Sequence, residues 1–273
     1  MYEARRTQST FSLAINMFEL SFVTAARKVR QSHRNAVWAI MTNVLQALFF
    51  LVAFYFMFSV MGARGAAIRG DFMLYLLTGI FAYLTHIKAV QGIMSAEGPA
   101  SAMMQHAPMN TLVAILSSAF SVLYTQTISL LVLLLVLHTL INPITIHDWP
   151  GALMMFLLSW ATGCAVGLLL LAAKPWMPDV VSMIQMVYVR ANMVASGKMF
   201  VANMMPGFMI DMFDWNPLFH VIDQARGFTF VNYFPHHSNW EYPLYFTLIA
   251  LLIGFMGEAY SRKHVSASWE AGR

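Results

Sequence analysis

The sequence predicts an all-α, polytopic membrane protein: six transmembrane helices, an amino-terminal amphipathic interfacial helix, and short re-entrant or interfacial helices before the last span. Three observations carry this reading. Of 273 residues, 59% are hydrophobic and 10% charged, with a mean hydropathy of +0.62, whereas soluble domains are about one quarter charged. The apolar residues gather in runs of about the 20 needed to cross a hydrocarbon core. Nine of the sixteen basic residues lie in the two tails, six from Arg5 to Arg34 and three from Arg262 to Arg273, which the positive-inside rule reads as cytoplasmic.

Residues 1–35 form the first region. They contain Arg5, Arg6, Arg27, Lys28, Arg30 and Arg34 and lack the apolar core of a cleavable signal. Within them Phe11, Ile15, Phe18 and Phe22 recur at helical spacing, which predicts an amphipathic helix over residues 11–30 lying at the membrane surface. The transmembrane domain, residues 36–260, opens with an uncharged span from Ala36 to Met61, with Trp38 at headgroup level. A second span covers Phe72–Ile93, where Lys88 can snorkel to the surface. A cytoplasmic connection with Glu97, Pro99, His106 and Pro108 leads to spans at Thr111–Leu137 and Gly151–Ala173.

The fifth predicted span, Val180–Val201, is less apolar and carries Arg190 near its middle. Intramembrane charges usually face a bundle interior or a watery path, so Arg190 is either an anion-binding group or a helix-to-helix tie. Tyr188, two residues away, diverges from it on a helix. Residues 202–241 are too polar for a span and predict two short helices, Met204–Phe213 and Leu218–Gly227. Asn216 is the second helix's cap, Pro217 its first residue and Gly227 its stop. The last span, Tyr242–Tyr260, leads into a basic tail at 261–273, and Glu258 is spaced to pair with Arg262. Six spans put both termini in the cytoplasm.

Several chemistries are not supported. No G-x-x-x-x-G-K-[ST] run occurs, so ATP hydrolysis by a P-loop is not expected in this chain. H-E-x-x-H is absent, and His236-His237 read as solvated loop residues, so no metal site is predicted. Cys164 is the single cysteine and rules out an intrachain disulfide. No G-x-S-x-G elbow or paired carboxylates are present. The basic residues do not form a soluble nucleic-acid patch.

The stretch Asp214-Trp215-Asn216-Pro217-Leu218-Phe219-His220-Val221-Ile222-Asp223, followed by Arg226, Tyr233 and a terminal span with a basic tail, resembles the carboxyl-terminal signature of ABC-2-type export permeases. Among these it is most similar to permeases of capsular polysaccharide and O-antigen exporters. Arg34-Asn35-Ala36-Val37-Trp38-Ala39-Ile40 resembles their entry into the first span, and Ser196-Gly197-Lys198-Met199-Phe200 the end of their fifth. The resemblance implies a bacterial inner-membrane subunit that pairs with a second copy and with two cytoplasmic ATPase subunits, which supply ATP and magnesium; this chain needs no cofactor of its own. A polysaccharide or glycolipid is the implied substrate. Substrate-path candidates are Trp38, Tyr55, Tyr83, Tyr188 and Arg190. Phe18, Arg27, Glu97, His106 and Pro108 are the candidates for ATPase coupling. Trp215, Asn216, Pro217 and Arg226 belong to short helices capping the outer side. The alternatives are export of a small lipid or drug and, in other classes, a polytopic membrane enzyme or scaffold.

Overall fold

A computed structural model describes residues 10–32, 36–60, 71–96, 111–141 and 143–264. Among them are nine α-helices, one 3₁₀ turn and no strand: α1 Thr10–Ser32, α2 Ala36–Val60, α3 Phe72–Met94, α4 Thr111–Leu140, α5 Trp149–Ala173, α6 Pro178–Ala195, the 3₁₀ turn Ala202–Met204, α7 Gly207–Phe213, α8 Pro217–Thr229 and α9 Glu241–His264. Five of these helices, α2, α3, α4, α5 and α9, are long and apolar enough to cross a membrane. The chain therefore has the architecture of a membrane protein.

The helices start where sequence chemistry provides caps. Asp71 accepts a hydrogen bond from the Met73 amide at the start of α3, and Asp148 does the same for Gly151 ahead of α5, where Pro150 costs no hydrogen bond. α3 is the central helix and is far more buried than the other apolar helices. It packs on α5 along most of its length and also meets α2, α4, α6 and α8. α9 lies against the other side of α5. Trp176, just after α5, stacks on Tyr260 and donates to the Ser261 hydroxyl at 2.8 Å, so the end of α9 meets the α5–α6 turn. This end also carries Lys174, Arg262 and Lys263 and is the basic end of the bundle.

Four sequence expectations need correction. The fifth span does not form as drawn: α6 is 18 residues long, ends at Ala195 and is not among the five apolar helices. The polar side chains of Tyr188, Asn192, Ser196 and Lys198 turn inward there, and Gly197 takes a left-handed φ of 71° that breaks the helix. Gly227 does not stop α8, which continues to Thr229; a methyl there would come within 2.7 Å of the Pro235 ring, so glycine admits the returning loop. Glu258 forms no ion pair with Arg262 among the described residues. It lies with Ala250, Gly254 and Ser261 on the buried side of α9, while Arg262 points outward and Glu258 Oε1 has no hydrogen-bond partner. α9 also runs past Tyr260 to His264, so residues 261–264 extend the helix instead of opening a tail.

α1 covers the predicted amphipathic stretch and packs along α4, with Phe18 against Phe120 at 5.3 Å. Its buried positions include Ser21 and Ala25, while Phe18 and Phe22 remain more than half exposed. Small residues thus make the closest approach to the bundle, and Phe18 and Phe22 are turned largely outward.

Candidate functional site

The polar interior is organised along one stripe of α3. Tyr75, Gly79, Tyr83 and His86 follow one another at spacings of four, four and three, which brings them to one helix face. That face meets α6, the segment after it, and α8.

At the stripe's basic end, His86 bridges two helices. Its Nδ1 lies 3.2 Å from the Ser159 carbonyl and 3.0 Å from the Thr162 hydroxyl on α5, and its Nε2 lies 2.8 Å from the Tyr188 hydroxyl on α6. The arrangement fits a neutral ring that donates through Nδ1 to the carbonyl and accepts from tyrosine. One turn toward the other end, the Tyr83 hydroxyl donates to the Val189 carbonyl at 3.2 Å. The Lys198 ammonium sits 3.4 Å from the centre of the Tyr83 ring, with Phe50 and Phe54 of α2 farther around it. Lys198 is 1% exposed and its Nζ has no hydrogen-bond partner, so the ring faces hold it by cation–π attraction.

The strongest fixture is Arg226 of α8, also 1% exposed. Its guanidinium donates to three consecutive-turn carbonyls: Gly197 at 3.1 Å, Phe200 at 2.5 Å and Lys198 at 2.6 Å. It stacks over Tyr75, 4.2 Å from the ring centre. Gly79 permits this approach, because a methyl there would come within 2.8 Å of Arg226 Nη2 and 2.9 Å of the Lys198 carbonyl oxygen. The segment after α6 is therefore clamped against α3 within the bundle.

α8 returns the chain to the end opposite the basic one. Asn216 caps it through Leu218 at 3.1 Å, and its amide donates to Asn192 Oδ1 at 2.9 Å and the Ala195 carbonyl at 3.0 Å. At the other end of α8, the Phe228 and Thr229 carbonyls accept from Asp148 and His147 just ahead of α5. Asp223 ties the following loop down, accepting from the Tyr233 hydroxyl and from Ser238 at 2.7 Å. Burial first, and the Asp223 carboxylate second, raise the Tyr233 phenol well above its usual range. His220 Nε2 meets the Asp214 carbonyl at 2.7 Å, while its Nδ1 accepts from the Asn239 amide. Asn216→Ala is expected to lower the thermal midpoint, since it removes a cap worth about 1 kcal/mol and leaves the buried Asn192 amide oxygen unpaired. Asn216→Asp keeps the cap but sets a buried carboxylate oxygen against the two acceptors that the amide served, so its midpoint should fall at least as far.

Of the substrate-path candidates, Tyr83 and Tyr188 converge on this interior, and Tyr55 packs half-buried against Phe72 at 6.1 Å. Trp38 and Arg190 are exposed on the outside of the chain. Arg190 follows Val189 at the level of Tyr83, and it shares its side of α6 with exposed Met183, Met186, Val187 and Val194. Among the coupling candidates Phe18 and Arg27 are exposed on α1; Glu97, His106 and Pro108 lie outside the described residues. Pro217 and Asn216 are buried, whereas Trp215 is exposed and accepts at its carbonyl from Tyr242. His236 and His237 are exposed. Among the described residues, no three His, Cys, Asp or Glu side chains group as metal ligands would. Tyr75, Gly79, His86, Asn192 and Asp223 complete the interior without having been singled out for it; the four-four-three spacing on α3 is the signal that marks its face.

No model of a known protein family and no curated protein matches this chain.

Proposed function

We propose that this chain is the membrane-spanning permease of an ATP-binding-cassette exporter of the ABC-2 type, carrying a polysaccharide, lipid-linked, across the bacterial inner membrane. Two copies form the path and two cytoplasmic ATPase subunits drive it, with ATP and magnesium bound by those subunits. The basic end faces the cytoplasm, as its lysines and arginines favour. α1 lies at that surface with its aromatic side in the lipid and serves, with the connection after α3, as the ATPase contact. α6 acts as the fifth span, and the segment from Ser196 to Thr229 re-enters from the outer side and caps the path.

Arg190 carries this reading. A guanidinium at mid-depth that faces lipid is expensive, so such groups face a bundle interior or water. Arg190 faces neither within its own chain, since it lies on the exposed side of α6 among methionines and valines. A second copy against this side would turn the exposed arginines toward a shared, hydrated gap, where they would attract an anionic polymer.

Purification in mild detergent from the native host tests the proposal. A P-loop ATPase retained at equal copy number, together with loss of surface polysaccharide on deletion, is the expected result. A chain reproducibly free of ATPase would favour an enzyme or a scaffold. Normal surface polysaccharide with altered lipid or drug efflux would overturn the substrate assignment.

A further inference from the structure

A second polar feature lies at the basic end of the bundle, apart from the clamped interior. The last turns of α3, the residue after α5 and the side of α6 border an open recess of about 520 Å³. Lys88, Gln91 and Ser95 line it from α3, Lys174 from the end of α5 and Gln185 from α6. Lys88 Nζ donates to the Asn43 amide oxygen of α2, and Lys174 Nζ to the Met94 carbonyl at 3.3 Å. Both acceptors are neutral. An ammonium has three protons to donate, so each lysine retains donor capacity, and neither meets a carboxylate among the described residues. The other polar lining groups carry no charge: the Gln91 and Gln185 amides offer donors, and the Ser95 hydroxyl donates to the Gly92 carbonyl at 3.2 Å. Among the described residues the cavity is thus a doubly cationic recess without a counter-ion, built on three helices and large enough for a polar headgroup.

We propose that this recess binds a phosphate-type anion, with Lys88 and Lys174 supplying the charge and Gln91 and Gln185 the directional donors. Two sources share that chemistry: the phosphate of a lipid headgroup and a soluble phosphate. The inference deepens the export reading, because a phosphate-bearing lipid anchor would present its anion at this depth. It rests on that reading only for the leaflet concerned. Binding is measured without transport, so either can fail alone.

The experiment uses the full chain, with any ATPase that accompanies it, in nanodiscs of phosphatidylcholine with or without phosphatidylglycerol. Native mass spectrometry counts retained lipid, and protection of Lys88 and Lys174 from acylation reports occupancy, with inorganic phosphate and glycerol phosphate as soluble probes. Phosphatidylglycerol should be retained over phosphatidylcholine and should protect both lysines. In the K88Q/K174Q variant the preference should fall at least about tenfold, since each surface-proximal lysine contributes roughly a factor of five toward an anionic lipid. K88R/K174R, which keeps both charges, should retain the preference and separates charge loss from misfolding. Protection by phosphatidylglycerol alone assigns a lipid headgroup; protection by both soluble probes as well assigns a phosphate group in general. Lysines labelled equally with and without every probe, or an unchanged lipid preference in a folded K88Q/K174Q variant, would overturn the proposal. Continued polysaccharide export alongside such a result would leave the permease reading intact.

Discussion

Replacing Arg226 with methionine is expected to destabilise the purified protein by about 3–5 kcal/mol, the range for removing one member of a buried charged network. The Lys198 and Phe200 carbonyls lose the guanidinium donor, while the Gly197 carbonyl keeps the Phe200 amide at 3.2 Å, and a buried acceptor without a partner costs about 1–3 kcal/mol. Methionine fills most of the volume, so the loss reports the hydrogen bonds more than a cavity. The thermal midpoint in detergent measures it. Arg226→Lys should recover only part, because a lysine cannot present the planar fork that spans carbonyls separated along the chain. An unchanged midpoint for Arg226→Met would mean that the segment after α6 is held by its apolar contacts.

Arg190→Leu should behave in the opposite way. The guanidinium is exposed and makes no hydrogen bond or ion pair with the described residues, so its removal should leave the midpoint unchanged or slightly raised. Export should nonetheless fall by at least about tenfold, equivalent to losing about 1.4 kcal/mol of interaction with a passing anionic group. Arg190→Lys should preserve most of the export. Accumulation of surface polysaccharide in a deletion strain complemented with each variant gives the measurement. Wild-type export by Arg190→Leu would remove Arg190 from the path, and a collapsed midpoint would make it a helix tie.

The apolar helices were legible because uninterrupted runs of about 20 apolar residues can satisfy the bilayer in one way only, as helices. The start of α8 was legible because Asn216 and Pro217 act locally, through a cap and a fixed φ, and need no tertiary partner. Gly227 shows the limit of such local signals: a glycine looks like a helix stop, but here it makes room for Pro235, ten or fewer residues away in sequence yet placed by a loop that Asp223 pins. The end of α6 was missed for a related reason. Its residues read as a weak span, and what draws the chain inward at Ser196 is Arg226, a buried cation whose partners are backbone carbonyls with no residue-type signature. Glu258 misled because the i, i+4 rule describes exposed helix faces, whereas this face is closed by α5. In the candidate site, the aromatic members of the α3 stripe were visible as residues, but their shared purpose depends on Lys198 and Arg226 arriving from far along the chain.

The glycines along α5 and α9 have a mechanical consequence. A methyl on Gly163 would come within 2.4 Å of the His86 carbonyl oxygen, one on Gly167 within 2.8 Å of that of Val90, and one on Gly254 within 2.8 Å of Leu168 Cγ. α3, α5 and α9 thus meet with little space between them, and close-packed interfaces resist sliding because side chains must unlock before they can shift. With the segment after α6 bolted to α3 by Arg226, α8 and that segment belong to the same stiff unit as these helices. An alternating-access cycle built from this chain would therefore move each copy as a lever, with the opening produced between copies and little bending inside either one.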